Sequence, residues 1–582
     1  MRKLTFRRIR GIGSFEIDLE HLTVIAGDDE VGKEALMTSM YEMIGSASDV
    51  YTDGASMEVE GFPGVSGAIL YDTPLVVRGV FSGGCDHRSE LWDMLMDDRP
   101  DVHPLDEEPE GYRTVMGRMC PGNLEPEGDR LAYRLPDGES IDASALSEDT
   151  IPFAVLKRLR AKGFLSEGTL LLMINPDAGM HNAAVNRFSE VLGFLVRDMG
   201  VGVALCTDSQ YLVSACTTFP DSMGSPAVFR IIRSVDGAPE VVDKGRDGSM
   251  ISWLMDWPGS QLVMEMRRNG YPYDEVPGIR EGMCISVEGV RGVPDFRMCV
   301  DRMTVVSGCG GIPRARIADL MYSVLEPLSS DHDGEDRSCL IRDRIDEFFG
   351  GMDNYRIEGV DSVFECDGVR VRINGDVVVE GVTGLPHVVY LDETLGLTGC
   401  IFHGAGGEVL SRMMSGEPYR SLDSEPEGYR RIMDGSCPGV LEEDGGVFRF
   451  IRSDGSVSDL RDVTPFLRMM AVIRRLRSNG CLCEGSLLIV RNPEVHIHPD
   501  LLVSLVELLV VMSGHMGVRV VVLTQDSMVV VGSHILSCRH GTGCRYLMVS
   551  DGSIDACTSL TLNGIFIDGA MEINDYWWGE DE

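Results

Sequence analysis

Residues 22–34 read LTVIAGDDEVGKE. An apolar run, Leu22–Ala26, enters a loop bounded by Gly27 and Gly32, and Lys33 opens a helix-compatible stretch over Glu34–Ile44. Run, glycine-containing loop and helix form the setting in which backbone N–H groups cradle phosphates and a lysine reaches the terminal ones. The chain has five lysines, Lys3, Lys33, Lys157, Lys162 and Lys244, so a lysine in this slot is a specific signal.

The surrounding stretch occurs twice. Residues 9–27, IRGIGSFEIDLEHLTVIAG, match residues 290–308, VRGVPDFRMCVDRMTVVSG, at an offset of 281. EPEGYR recurs at Glu108–Arg113 and Glu425–Arg430, and Cys120-Pro121-Gly122 recurs as Cys437-Pro438-Gly439, both at an offset of 317. That offset also aligns GTLLLMINPDAGMH (Gly168–His181) with GSLLIVRNPEVHIH (Gly485–His498). Ordered anchors of this kind indicate a tandem duplication. The division is placed in the Pro- and Gly-containing stretch near 275–285, giving halves 1–280 and 281–582.

Each half opens with alternating segments, such as Lys3–Arg8 and Phe15–Leu19, that predict strands. Helix-like segments at Phe153–Ala161 and Met469–Arg477 precede the apolar runs LLLMI and LLIV. Longer helices over Ala183–Arg197 and Leu501–Met512 lead to VGVALC and VRVVVL. Strands alternating with helices predict an α/β fold with mixed, largely parallel sheets.

This order of elements resembles the SMC/RecF/OLD-like branch of ABC ATPases, AAA-type ATP-binding domains in the broad sense. The resemblance covers most of each half, least at 45–105, 210–280, 325–420 and 530–582. It implies two tandem P-loop NTPase-like domains resembling ABC ATPase heads, with ATP as ligand. The implied nucleotide loop is Gly27, Asp28, Asp29, Glu30, Val31, Gly32, Lys33 and Glu34. Glu34 stands where the family has a Mg²⁺-binding Ser or Thr, which leaves Mg²⁺ an open question. In the second half the loop reads GCGGIPRA, Gly308–Ala315, with Pro313-Arg314 in place of Gly-Lys. Proline removes a backbone donor, and arginine is not a compact charge like lysine.

The remaining motifs of the resemblance are eroded. The Walker B acidic pair falls on Ile174 and Asn175 in the first half, and on Arg491 and Asn492 in the second. Isoleucine offers no oxygen to a hard cation, and asparagine does not take a proton from water as a carboxylate does. The switch histidine falls on Asp208 and Asp526, each followed by serine. Two readings are open: Asp208 and Asp526 as a new acid/base or metal pair, or each Asp-Ser as a cap for the following turn or helix. The signature falls on Leu146-Ser147-Glu148-Asp149 and on Val463-Thr464-Pro465, leaving Thr464 as the hydroxyl a partner domain would present. No glutamine lies between Lys33 and Asn175 or between Arg314 and Asn492. No catalytic residue is assigned. His181, His496 and His498 lack enough companions for a metal site.

The bulk numbers narrow the class. The 582 residues carry a net charge of -40, which disfavours non-specific DNA and anionic membranes as partners. No run of 18 or more apolar residues is apparent, so no membrane span is expected and a cytoplasmic location is. The 16 cysteines, without a CxxC pair, predict small buried hydrophobes in place of a disulfide scaffold.

Three functions compete. The first is a degenerate ATP-binding protein, a pseudo-ATPase serving as a nucleotide-sensing or structural scaffold, its two halves pairing within one chain. The second is an active, divergent ATPase. The third is a protein-interaction module for an unidentified partner such as a nuclease or defence effector, with Tyr576-Trp577-Trp578 as a docking tail or as aromatics packed on their own domain.

Overall fold

The computed structural model describes residues 2–9, 13–27, 33–45, 56–60, 67–72, 86–246 (without 129, 144–145 and 236–237), 261–262, 264, 268–269, 282–392 (without 292, 294, 309–313, 333, 350, 358 and 382), 407–550 (without 417, 445–446, 461–462 and 496) and 553–557. The chain divides into two compact units, one built from residues up to 257 and the other from 258–566.

In chain order the first unit contains β1 (Arg2–Ile9), β2 (Gly13–Leu19), β3 (Leu22–Gly27), β4 (Ser56–Glu60), β5 (Gly67–Asp72), β6 (Asn123–Glu127), β7 (Arg130–Arg134), β8 (Ser140–Asp142), β9 (Thr169–Ile174), β10 (Gly202–Cys206), β11 (Val228–Val235) and β12 (Ala238–Gly245). Its helices are α1 (Lys33–Gly45), α2 (Asp86–Leu95), α3 (Glu110–Met119), α4 (Ile151–Ala161), α5 (Asn182–Arg197) and α6 (Gln210–Ser222). The main sheet has the order β12-β11-β3-β10-β9-β5, parallel except for β12 at the edge. All six residues of β9 are buried, as a parallel strand covered by helices on both faces requires.

The second unit contains β13 (Met283–Glu288), β14 (Phe296–Val300), β15 (Met303–Gly308), β16 (Ser362–Cys366), β17 (Val369–Ile373), β18 (Val377–Glu380), β19 (Val388–Leu391), β20 (Gly439–Asp444), β21 (Val447–Arg452), β22 (Val457–Asp459), β23 (Leu487–Arg491), β24 (Arg519–Leu523), β25 (Arg545–Ser550) and β26 (Ser553–Cys557). Its helices are α7 (Arg314–Leu325), α8 (Arg337–Phe349), α9 (Gly407–Met414), α10 (Glu427–Ser436), α11 (Pro465–Ser478), α12 (Pro499–Met516) and α13 (Ser527–His540). The main sheet runs β19-β23-β24-β15-β25-β26, the mirror listing of the first unit's order, again parallel except for the last strand. Both units are therefore α/β with largely parallel sheets. The second adds α8 and the β17–β18 hairpin between its first helix and β19.

The repeated segments dock on one helix. In α4, Lys157 Nζ donates to the carbonyls of Cys120 and Gly122 at 3.0 and 2.8 Å, and Arg160 Nε donates to Glu108 at 2.6 Å. In α11, Arg474 donates to the carbonyls of Cys437 and Gly439 at 3.2 and 3.0 Å, and Arg477 Nε donates to Glu425 at 2.8 Å. In each unit the Cys-Pro-Gly and Glu-Pro-Glu-Gly-Tyr-Arg repeats thus satisfy buried and half-buried cations of one helix with carbonyls and a carboxylate. Gly122 and Gly439 are needed for close approach. A Cβ at either would lie 2.5 or 2.6 Å from the backbone oxygen of Arg134 or Ile451.

By length and composition alone α12, PDLLVSLVELLVVMSGHM, passes for a membrane span, although Asp500 and Glu507 interrupt its apolar residues. Its apolar residues, among them Leu505, Leu508 and Leu509, lie in the core of the second unit. Glu507 receives hydrogen bonds or ion pairs from Arg431 and His540. It has the features of a core helix.

Candidate functional site: the crest of each parallel sheet

In the first unit β3 ends at Gly27 and α1 begins at Lys33, so strand and helix flank the implied phosphate loop. Asp28, Asp29, Glu30, Val31 and Gly32 lie outside the described residues, as does the side chain of Glu34. Lys33 itself is buried, and its Nζ lies 2.8 Å from Oδ1 of Asp208. Asp208 reaches this point because β10 is hydrogen-bonded between β3 and β9 and its continuation, Thr207, donates its N–H to the carbonyl of Ile25.

The next residues close the crest. Thr207 Oγ1 donates to Asp177 Oδ1 at 3.3 Å and accepts the N–H of Ser209 at 2.9 Å. Burial pushes the Asp177 carboxyl up to about 6, helped by the charge of Asp208 and opposed by hydrogen bonds from Ser209 and Thr207. Ser209 caps α6 by accepting the N–H of Leu212. The expectation that Asp-Ser supplies a cap therefore holds for the serine here. Asp208 is the partner of Lys33.

Ile174 is buried at the end of β9 in register with Cys206. Asn175 follows with φ 40°, in the left-handed region, and its N–H donates to the Cys206 carbonyl. Asn492 repeats this geometry with φ 44° after the buried Arg491. Asparagine adopts such a conformation more readily than most residues. The shared asparagine thus has a backbone reason that sequence reasoning did not find.

In the second unit Arg314 opens α7, and its side chain and residues 309–313 lie outside the described residues. Ser307 on β15 donates to Gln525 Oε1 at 3.4 Å, and the Gln525 N–H donates to Glu494 Oε1 at 3.2 Å. Here the aspartate is the cap. Asp526 Oδ1 accepts the N–H groups of Met528 and Val529 at 2.7 and 3.1 Å. Burial pushes Glu494 up to about 7, with Asp526 adding to the effect, and burial also raises Asp526. The slots of Asp208 and Asp526 therefore hold two different arrangements. In one, a carboxylate pairs with lysine. In the other, two carboxyls gather at a capped helix start.

The histidines are also caps. His181 Nδ1 accepts the N–H of Ala183 at the start of α5, and the His181 N–H donates to Asp149 of the signature segment at 2.6 Å. His498 Nδ1 accepts the N–H of Asp500 at the start of α12, and His496 lies outside the described residues. Among the described residues no group of three or more His, Cys, Asp or Glu is arranged to hold a metal ion. Thr464 stands at the N-terminus of α11, its carbonyl accepting the N–H of Arg468. Residues 576–578 lie outside the described residues.

A parallel sheet that sends a glycine-ended strand toward a helix opening on lysine, with carboxylates at the strand ends, is a P-loop NTPase-like arrangement. No protein-family model matches the chain, and no curated protein matches it. Among solved structures it is similar to the SMC head domain from Thermotoga maritima, with 12% identity over 41% of this chain and 97% of that one, at a TM-score of 0.27. It is also similar to UvrA2 from Deinococcus radiodurans, with 12% identity, 71% of this chain and 54% of that one, at a TM-score of 0.36. A chain of the structure described as ribosome-bound archaeal Pelota and ABCE1 gives 10% identity, 95% of this chain and 77% of that one, at a TM-score of 0.43.

Proposed function

We propose that this chain is a degenerate ATP-binding protein of the ABC/AAA type, a pseudo-ATPase that serves as a nucleotide-sensing or structural scaffold in the cytoplasm. The observation that carries the reading is the buried Lys33–Asp208 ion pair. The cation that would meet the terminal phosphates is already neutralised by a carboxylate from the neighbouring strand. A phosphate must displace Asp208 to engage it.

The Walker B slots support the same conclusion. Ile174 is buried and offers no oxygen to a hard cation. Phosphoryl transfer depends on positioned charges that stabilise the developing transition state. With those groups replaced, ATP acts as a ligand and not as a substrate. Within this proposal the two halves pair inside one chain, with Lys33 facing Thr464, and nucleotide occupancy is read by an unidentified protein partner. The implied nucleotide site comprises Gly27–Glu34, with Lys33 as its cation.

A second reading, an active divergent ATPase, is favoured by Asp177. A carboxyl pushed up to about 6 beside the crest has the proton affinity a base for water needs.

The test is thermal unfolding with and without ATP, in Mg²⁺ and in chelator, beside Lys33→Ala. Ligand at 100 times its dissociation constant stabilises by about 2.7 kcal/mol. A shift lost in Lys33→Ala, without phosphate release, supports the sensor. No shift leaves the scaffold. Phosphate release abolished by Lys33→Ala overturns both in favour of the divergent enzyme.

A further inference from the structure

At the start of the second unit, β13 and β14 pair antiparallel with Cys284 directly opposite Cys299. Directly opposite residues project from the same face of a sheet. The alternation along both strands fixes which face it is. Ile285, Val287, Phe296 and Met298 are buried on the core side, and Cys284 and Cys299 are half-buried on the other. Their sulfurs are 2.6 Å apart. Cys366, on the neighbouring β16, pairs with the buried Ile285 and belongs to the core face.

Cys284 lines an open groove of about 790 Å³ whose walls include Ser286, Arg297, Glu365 and Arg370. Its N–H is held by Asp367 Oδ1 at 3.1 Å, which fixes the strand end. Cys299 is its cross-strand partner and is likewise half-buried. The contact with Cys284 raises the Cys299 thiol above its ordinary range, and Arg545 and Arg297 pull it back toward the anion.

At the repeat offset of 281, Cys284 and Cys299 correspond to Lys3 and Asp18. Those residues are register partners on β1 and β2. A cross-strand pair of opposite charges in one unit is matched by a cross-strand pair of thiols in the other.

We propose that Cys284 and Cys299 are a dithiol modification site, oxidised reversibly by a small-molecule disulfide of the glutathione class entering through the groove at Cys284. Cys284, after losing its proton to solvent, attacks one sulfur of the small disulfide. That S–S bond breaks, and one small thiolate leaves and is protonated. Cys299, also deprotonated, then attacks Cys284 Sγ, and the second small thiol departs. Two protein thiols lose two electrons and two protons, and the small disulfide becomes two thiols. The product staples the first hairpin of the second unit.

The experiment treats the full chain with oxidised glutathione, quenches with N-ethylmaleimide and maps peptides without reduction. The expected product is one linked peptide pair, Cys284 with Cys299, reversed by dithiothreitol. Cys299→Ser should trap glutathione on Cys284, and Cys284→Ser should leave Cys299 largely alkylatable. The exposed Cys339 provides the control for reagent reactivity. The proposal is overturned if Cys339 is modified while both thiols remain alkylatable. It is equally overturned if the wild-type chain carries only mixed disulfides at these positions, or links Cys284 to Cys366.

Discussion

Lys33 Nζ lies 2.8 Å from Asp208 Oδ1, with side chains only 5% and 9% exposed. A buried pair of this kind is costly to break from one side, because the remaining charge stays in a poorly solvated site. Asp208→Asn is expected to destabilise the first unit by about 3–5 kcal/mol, whereas Lys33→Met combined with Asp208→Leu should be close to neutral. Urea denaturation of the two variants beside the wild type measures this. If ATP binds, its phosphates replace the missing carboxylate, so ATP should recover much of the Asp208→Asn deficit. A deficit equal with and without ATP would favour the scaffold over the sensor.

The crest carboxyls predict how stability follows pH. Asp177 is pushed up to about 6 from 3.8, and Glu494 up to about 7 from 4.5. Between the unfolded and folded values the native state holds more protons than the unfolded state. Stability contributed by these groups is therefore fully present at acid pH and falls as pH rises through the folded values. The loss belongs to the window from about pH 4 to 7. Asp177→Asn and Glu494→Gln should each flatten part of that slope in denaturation series run across the window. A slope unchanged in both variants would remove these carboxyls as its source.

The asparagines at 175 and 492 test backbone against chemistry. Both sit at positive φ after the strand end. Alanine there is expected to cost about 1 kcal/mol from conformation alone, and glycine less. Valine should be worse than either, since its branched Cβ resists that conformation. Urea midpoints of the Gly, Ala and Val series at each site give the order. An Ala variant more stable than Gly would show that the conformation is not what selects asparagine.

Much of this was legible in the sequence. The apolar runs at Leu22–Ala26, LLLMI and VGVALC became adjacent parallel strands because fully buried strands need no alternation. Lys33 was singled out by its loop. Its partner was not, because Asp208 lies 175 residues away and only the strand order brings it to α1. The aspartates at 208 and 526 occupy one motif slot, yet one pairs with lysine and the other caps α13. A motif position does not encode that difference. The cysteine pair was equally hidden, since Cys284 and Cys299 show no motif spacing and meet through hairpin register. The apolar α12 shows the converse limit, because composition alone does not separate a core helix from a membrane span.

The helices α4 and α11 carry the last prediction. Arg160 with Glu108, and Arg477 with Glu425, are the same pair in the two units, at 2.6 and 2.7 Å with little exposure. In α11 the pairing is bidentate, since Arg477 Nε and Nη2 donate to the two Glu425 oxygens at 2.8 and 2.7 Å. Arg477 also donates to the carbonyl of Leu482, and Arg160 to that of Leu165 at 2.7 Å. Removing the glutamate strands an arginine that already serves the following turn. Glu108→Ala and Glu425→Ala should each cost about 3–5 kcal/mol. Arg477→Lys should recover only part of the second pair, because an ammonium lacks the planar fork that meets both oxygens. Because the chain forms two compact units, a two-step denaturation curve would assign each loss to its own transition. A single transition shifted by either variant would show that the units unfold together.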